Sequence, residues 1–89
     1  MASYTDKLFD IIKRHIDEYD YSSLLAQGAP RDEFDGETRE IYRQISADST
    51  TEKIAATIAK VFSESFNTTE HSDTFLPVAQ KIKNELSQN

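Results

Sequence analysis

The stretch STTEKIAATIAKVFSESF, residues 49–66, decides the fold of this chain. Its apolar side chains recur every three or four residues, at Ile54, Ile58, Val61, Phe62 and Phe66, which places them, together with Ser65, on one stripe of an amphipathic α-helix. The four residues that precede the stripe have the form of a capping box, in which Ser49 accepts from the Glu52 amide and the Glu52 carboxylate reaches back. We therefore predict a helix over residues 50–66.

Three other segments, residues 4–19, 33–46 and 72–87, show the same helical period. Their apolar stripes are Leu8, Phe9, Ile12, Ile16 and Tyr19; Phe34, Thr38, Ile41, Tyr42 and Ile45; and Phe75, Leu76, Ala79, Ile82 and Leu86. Pro77 fits only in the first turn of a helix, so the N-cap of the last helix is expected at Asp73 or Thr74. Short connections favour antiparallel packing of successive helices. The sequence predicts an all-α fold, a compact four-helix bundle that comprises residues 1–89 as a single domain.

The connection between the first two helices is the one long irregular segment. We expect Leu24 and Leu25 to lie in a short helical turn that begins at Ser22 or Ser23. Gly28 is expected to end this turn, because glycine adopts a left-handed conformation without strain. Asp32 or Asp35 is the predicted N-cap of the helix that follows.

The composition excludes several classes of function. The chain has 89 residues, a net charge of −6 and no cysteine, which rules out disulfides, thiolate zinc sites and cysteine nucleophiles. No apolar run approaches the roughly 20 residues that span a bilayer, and the first residues lack the pattern of a signal peptide. The acidic balance disfavours binding to nucleic acid or to an anionic membrane. We therefore expect a cytoplasmic protein with no membrane or nucleic-acid partner.

Half of the net charge, −3, falls within residues 31–49. The clustered carboxylates there are Asp32, Glu33, Asp35, Glu37 and Glu40. They are typical of a helix start, where the macrodipole favours negative charge, but they also suit a surface that recognises a basic protein partner. A third interpretation is a site for a hard cation, although the spacing fails the EF-hand pattern. The predicted partner-binding residues are Asp32, Glu33, Asp35 and Glu37, together with Tyr21, because tyrosine is enriched at interfaces.

Other chemistry-bearing residues form no recognisable catalytic pattern. His15 has one carboxylate, Glu18, at helical spacing and is interpreted as a histidine at the edge of the apolar face. His71 lies in a polar loop. The chain contains no nucleophile elbow, phosphate-binding glycine loop or HExxH motif. We predict no enzymatic activity, no cofactor and no metal site.

The segment LLAQGAPRDEFDGE, residues 24–37, resembles a motif of the YugE-like family of short bacterial proteins of unknown function. That motif reads Leu-Leu-x-x-Gly-Ala-Pro-x-Asp-Glu-Tyr-Asp-x-Glu and lies between two helices, and the similarity continues more loosely through the later helices. Two positions differ: Phe34 stands where the family often has tyrosine, and Tyr21 where proline commonly follows the aspartate. The resemblance implies a compact, all-helical bacterial protein with no known activity, and it implies a packing role for Phe34.

These observations lead to one leading hypothesis and two alternatives. The leading hypothesis is a protein-interaction module, of an immunity or antitoxin type, whose acidic segment occupies a basic surface of its partner. The first alternative is a small metal-dependent enzyme that uses the carboxylates between Asp32 and Glu37. The second is a structural homodimer that buries apolar surface left over by a small core.

Overall fold

Four α-helices and two short 3-10 turns form the structure, a computed structural model that describes residues 4–30 and 32–88. The helices are α1 (Tyr4–Tyr19), α2 (Asp35–Gln44), α3 (Thr51–Phe66) and α4 (Leu76–Ser87), and the 3-10 turns are Tyr21–Ser23 and Ser72–Phe75. The described ranges contain no β-strand. The prediction of an all-α four-helix bundle is confirmed.

The helices form a closed ring, because α1 and α3 each pack against both α2 and α4. The 3-10 turn before α4 packs on α3 and completes the contact between these two helices. The Cα radius of gyration is 12.4 Å, close to the value of about 12 Å expected for a compact chain of this length. No helix of the described chain is both long enough and apolar enough to cross a membrane.

The core consists mainly of isoleucine and phenylalanine side chains from all four helices and the segments next to them. Its largest fully buried members are Phe34, Phe62, Phe75, Ile11, Ile12, Ile16, Ile41, Ile54, Ile58 and Ile82. Phe62 lies at its centre, with ring centroids of Phe34 at 5.9 Å and of Phe75 at 5.8 Å. The packing role predicted for Phe34 is confirmed by its complete burial. Tyr19, a member of the predicted stripe of α1, is 39% exposed, although its ring contacts the buried ring of Phe75 at a centroid distance of 5.3 Å.

Three of the predicted helix caps are wrong in detail. The N-cap of α3 is Thr50, whose Oγ1 accepts from the Lys53 amide at 3.1 Å. Ser49 Oγ instead accepts from the Ser46 amide at 2.9 Å, so it stabilises the preceding loop. The N-caps of α2 and α4 are Phe34 and Phe75, and neither makes a side-chain cap. Both rings are fully buried, and their burial fixes where α2 and α4 begin. Pro77 lies in the first turn of α4, as predicted.

The connection after α1 has an unusual backbone. Asp20, Ser22 and Ser23 have φ values of 53°, 55° and 56°, in the left-handed region that costs a non-glycine residue about 1–2 kcal/mol. The Asp20 carboxylate offsets this cost, since it accepts from the Leu25 amide at 2.7 Å and from the Ala26 amide at 3.0 Å. The Ser23 carbonyl accepts from the Gln27 amide at 3.1 Å, so the helical turn of Leu24 and Leu25 begins at Ser23 as predicted, with the Asp20 carboxylate as the side-chain acceptor.

The glycine at the end of the same turn behaves as expected. Gly28 has φ of 103°, a value that L-residues rarely adopt, and its amide donates to the Leu25 carbonyl at 3.1 Å. A side chain at this position would strain the backbone, although nothing lies within 4 Å of a Cβ placed there. Gly28 is thus required for its backbone conformation, not for close packing.

Candidate functional site

Asp35, one of the predicted partner-binding residues, is engaged inside the molecule. Its Oδ1 accepts from Lys13 Nζ at 2.7 Å, and the same ammonium donates to Asp17 Oδ2 at 2.9 Å. These carboxylates raise the pKa of Lys13, with the hydrogen bond to Asp35 as the largest cause. Asp35 therefore joins the first turn of α2 to α1, which is a structural role that its position in the sequence did not indicate.

Glu37 lies in an open groove between α2 and α3, which we call the α2–α3 groove. The groove has a volume of about 280 Å³ and is lined by Gly36, Glu37, Glu40, Val61, Glu64 and Ser65. Ser65 Oγ donates to Glu37 Oε2, a contact that links the two helices across the groove. The groove thus collects three carboxylates from two helices, and none of the lining residues that the structure describes is basic.

Glu64 and Ser65 were missed by sequence reasoning. They stand on α3, and Ser65 is 28 residues from its partner Glu37. Spacing along the chain carries no signal for such a pair, because only the packing of α2 on α3 brings them together.

The exposed Arg43 of α2 forms an ion pair with Glu40, with 3.4 Å between Nη1 and Oε1. This pair screens the Glu40 carboxylate only partly, because both side chains are in solvent.

Asp32 and Glu33 lie in the turn just before α2. Asp32 is exposed and Glu33 is half-buried. Within the described ranges, neither carboxylate has a hydrogen-bond or ion-pair partner. The Asp32 carbonyl accepts from the Asp35 amide at 3.0 Å, so the backbone of the turn is ordered by its own hydrogen bonds. Both carboxylates are therefore free to face a partner.

Tyr21 is occupied by contacts with α3 and the loop that follows it. Its ring stacks on Phe62 and Phe66, with centroid distances of 4.8 and 4.6 Å. Its hydroxyl donates to Glu70 Oε2 at 2.7 Å, and Thr68 Oγ1 donates to the same oxygen at 2.8 Å. The hydrogen bond from Tyr21 is the largest cause of a lowered pKa for Glu70. These contacts close one side of the core and give Tyr21 a structural role.

The Tyr21→Phe variant is expected to lose about 1 kcal/mol of unfolding free energy at pH 7, since one hydrogen bond to a carboxylate is removed. Glu70 has a lowered pKa in the folded state, so this stabilisation is fully present at pH values above its unfolded pKa and is lost as pH falls through the folded pKa. Urea unfolding at pH 7 and pH 3 measures the effect, and the difference between variant and wild type should shrink at pH 3. Tyr42→Phe is the control, because its ring contacts Phe9 at the edge of the bundle. A pH-independent loss in Tyr21→Phe would contradict the role of Glu70.

A second polar cluster, which the sequence did not predict, joins α1 to α4. His15 Nε2 lies 2.8 Å from Glu85 Oε1, and Arg14 donates to the other oxygen of Glu85. The pKa of Glu85 is lowered, first by the hydrogen bond from Arg14 and then by that from His15. The side chain of His15 is only 15% exposed, in agreement with its predicted place at the edge of the apolar face. This cluster closes the ring of helices at the α1–α4 side.

Among the described histidine, aspartate and glutamate side chains, no group of three or more is arranged to hold a metal ion. No protein-family model, curated protein or solved structure matches this chain. The fold and the surface define the class of the molecule, a small acidic helical bundle with a carboxylate-lined groove between α2 and α3.

Proposed function

We propose that this protein is a protein-interaction module that binds a basic surface of another protein through the α2–α3 groove. The observation that carries the proposal is that Glu37, Glu40 and Glu64 line this groove and that its described lining contains no basic residue. Asp32 and Glu33 extend the same negative field past the start of α2. An arginine or lysine side chain of a partner fits the open groove and meets three carboxylates there.

The physics of such a surface favours fast and selective association. Carboxylates on the walls of a groove reinforce one another's field, which steers a basic partner during encounter and repels acidic proteins. The net charge of −6 adds long-range attraction of the same sign. Binding that depends on this surface weakens as salt is added, because exposed charges more than a Debye length apart are screened.

We propose further that the module acts in the bacterial cytoplasm as an immunity or antitoxin-type protein. A small acidic chain without a catalytic motif suits the task of covering a basic active surface on a partner. The absence of cysteine fits a reducing compartment. The bacterial origin rests on the resemblance of residues 24–37 to the YugE-like motif.

The Glu37→Gln/Glu40→Gln/Glu64→Gln variant is expected to lose partner capture at least about tenfold, because three charges are removed from one groove. The measurement is affinity capture from a bacterial lysate at 50 mM and 300 mM salt, followed by mass spectrometry of the captured proteins. A basic protein that wild type retains at low salt and that this variant releases is the expected result.

The matched control is Asp10→Asn/Glu52→Gln/Asp73→Asn, which removes three exposed charges outside the groove. Equal capture by both triple variants would refute the proposal, as would capture of no basic protein by wild type.

Two further measurements test the alternative functions, a homodimer and a metal-dependent protein. Light scattering over a concentration series detects a homodimer, and a melting temperature raised by several degrees with Mg²⁺, Mn²⁺ or Ca²⁺ indicates a metal-dependent protein.

A further inference from the structure

A second cavity lies under the connection between α1 and α2, and we call it the α1 pocket. Its volume is about 360 Å³, and it is lined by Lys13 and Asp17 of α1 and by Leu25 and Ala29 of the connection. This volume is within the range of pockets that hold small ligands or single side chains. The α1 pocket shares no lining residue with the α2–α3 groove.

An ion-pair cluster of Lys13, Asp17 and Asp35 stands at the polar side of the α1 pocket, and Lys13 and Asp17 are its members that line the cavity. The Lys13 ammonium donates to both Asp17 and Asp35, so one cation faces two carboxylates. The other oxygen of Asp17, Oδ1, is buried and has no hydrogen-bond partner among the described residues. A buried carboxylate oxygen without a donor costs free energy. The charge balance and the unpaired oxygen both favour a ligand that is a cation and a hydrogen-bond donor.

The other side of the α1 pocket is apolar. Leu25 and Ala29 are half-buried, and neither places a side-chain polar group in the cavity. Methylene groups of a ligand gain contact with these side chains while its charged end reaches the carboxylate. An alkylguanidinium group matches both sides, because its planar head presents several N–H donors and is more weakly hydrated than an ammonium.

The α1 pocket must open slightly for a ligand to reach Asp17 Oδ1, which is covered in this structure. Leu25 and Ala29, which line the pocket, belong to the connection that contains the left-handed residues Ser22 and Ser23, and the Leu25 amide donates to the Asp20 carboxylate. Such strained positions concentrate at ligand clamps and switch segments.

We propose that the α1 pocket binds an alkylguanidinium group, with its head on the Asp17 carboxylate and its alkyl stem against Leu25 and Ala29. The group can belong to a free small molecule or to an arginine side chain of a protein. This inference does not depend on the proposed function, because the two sites have no residue in common.

The test is an NMR titration of the ¹⁵N-labelled protein with agmatine. Saturable shifts of the Asp17, Leu25 and Ala29 amides are expected, at millimolar agmatine or below. The Asp17→Asn variant, which keeps the shape of the side chain, should bind about tenfold or more weakly, as loss of a charged hydrogen-bond acceptor implies. Asp10→Asn removes the same charge from the same helix outside the pocket and should bind as wild type does.

Ala29→Leu provides a second variant that fills the α1 pocket without any change of charge, and it should abolish the shifts. N-butylurea, a neutral planar analogue, should bind much more weakly than agmatine. A capped Gly-Arg-Gly peptide that shifts the same amides identifies a protein side chain as the source, whereas binding of agmatine alone identifies a free small molecule.

Three results would overturn the inference: no saturable shift with either guanidinium probe, equal weakening in Asp17→Asn and Asp10→Asn, or equal binding of N-butylurea. Melting temperatures of each variant separate loss of binding from loss of folding. The Glu37→Gln/Glu40→Gln/Glu64→Gln variant should bind agmatine normally, so failure of the α1 pocket and failure of the α2–α3 groove are distinguished in the same series.

Discussion

Replacement of Phe62 by alanine is expected to lower the free energy of unfolding by about 3–5 kcal/mol, the usual cost of deleting a buried aromatic ring. Phe62 has zero exposure, and its ring centroid lies 4.8–5.9 Å from those of Tyr21, Phe34, Phe66 and Phe75. The remaining rings are held by four different segments and cannot collapse together into the cavity. A chain of this length has a total stability of only about 4–13 kcal/mol, so this single substitution removes a large fraction of it.

Urea unfolding monitored by far-UV circular dichroism measures this loss. Phe66→Ala is the matched control, because the same ring is removed from a half-buried position on the same helix. The control should lose roughly half as much, since less apolar area leaves water there. Equal losses in the two variants would show that Phe62 is not the centre of the core.

Replacement of Asp20 by alanine is expected to lower the free energy of unfolding by about 2–3 kcal/mol, because two hydrogen bonds to a charged group are lost. The carboxylate accepts from the Leu25 and Ala26 amides. Alanine also adopts the left-handed conformation of residue 20, with φ of 53°, less readily than aspartate does. The same denaturation experiment measures the change.

Two further substitutions at residue 20 separate capping from backbone strain. Asp20→Gly loses the cap but relieves the positive φ, so it should be about 1 kcal/mol more stable than Asp20→Ala. Asp20→Asn tolerates the same backbone and retains one side-chain acceptor, so its stability should lie between wild type and Asp20→Gly. If the alanine and glycine variants are equally stable, strain at this position makes no contribution.

The helices themselves were predictable because their signals are local. The three- and four-residue spacing of apolar side chains predicts α1 over residues 4–19 and α3 over 50–66, and the structure has Tyr4–Tyr19 and Thr51–Phe66. The caps were less predictable, because adjacent hydroxyl residues such as Ser49 and Thr50 compete for one position. The N-cap is the residue with an extended backbone directly before the helix. Thr50 has this conformation, with φ of −74° and ψ of 161°.

The candidate site was only partly predictable, for the opposite reason. The acidic segment was evident from charge density, but its four carboxylates have different environments in the fold. Asp35 is paired with Lys13, 22 residues away, and Glu37 is bonded to Ser65. Glu64 enters the α2–α3 groove from another helix. These pairings depend on how each helix is rotated and shifted along its axis relative to its neighbours. The spacing of residues in the sequence does not specify either quantity.

The sequence by itself determined that this protein is an acidic bundle of four amphipathic helices, because helical periodicity and charge are properties of neighbouring residues. Only the tertiary structure decided which charges remain available to a partner. Packing of α1 against α2 pairs Asp35 with Lys13. Packing of α2 against α3 places Glu37, Glu40 and Glu64 in the lining of one groove. The physical reason is that an ion pair or a groove forms between side chains close in space, and the packed core sets that proximity.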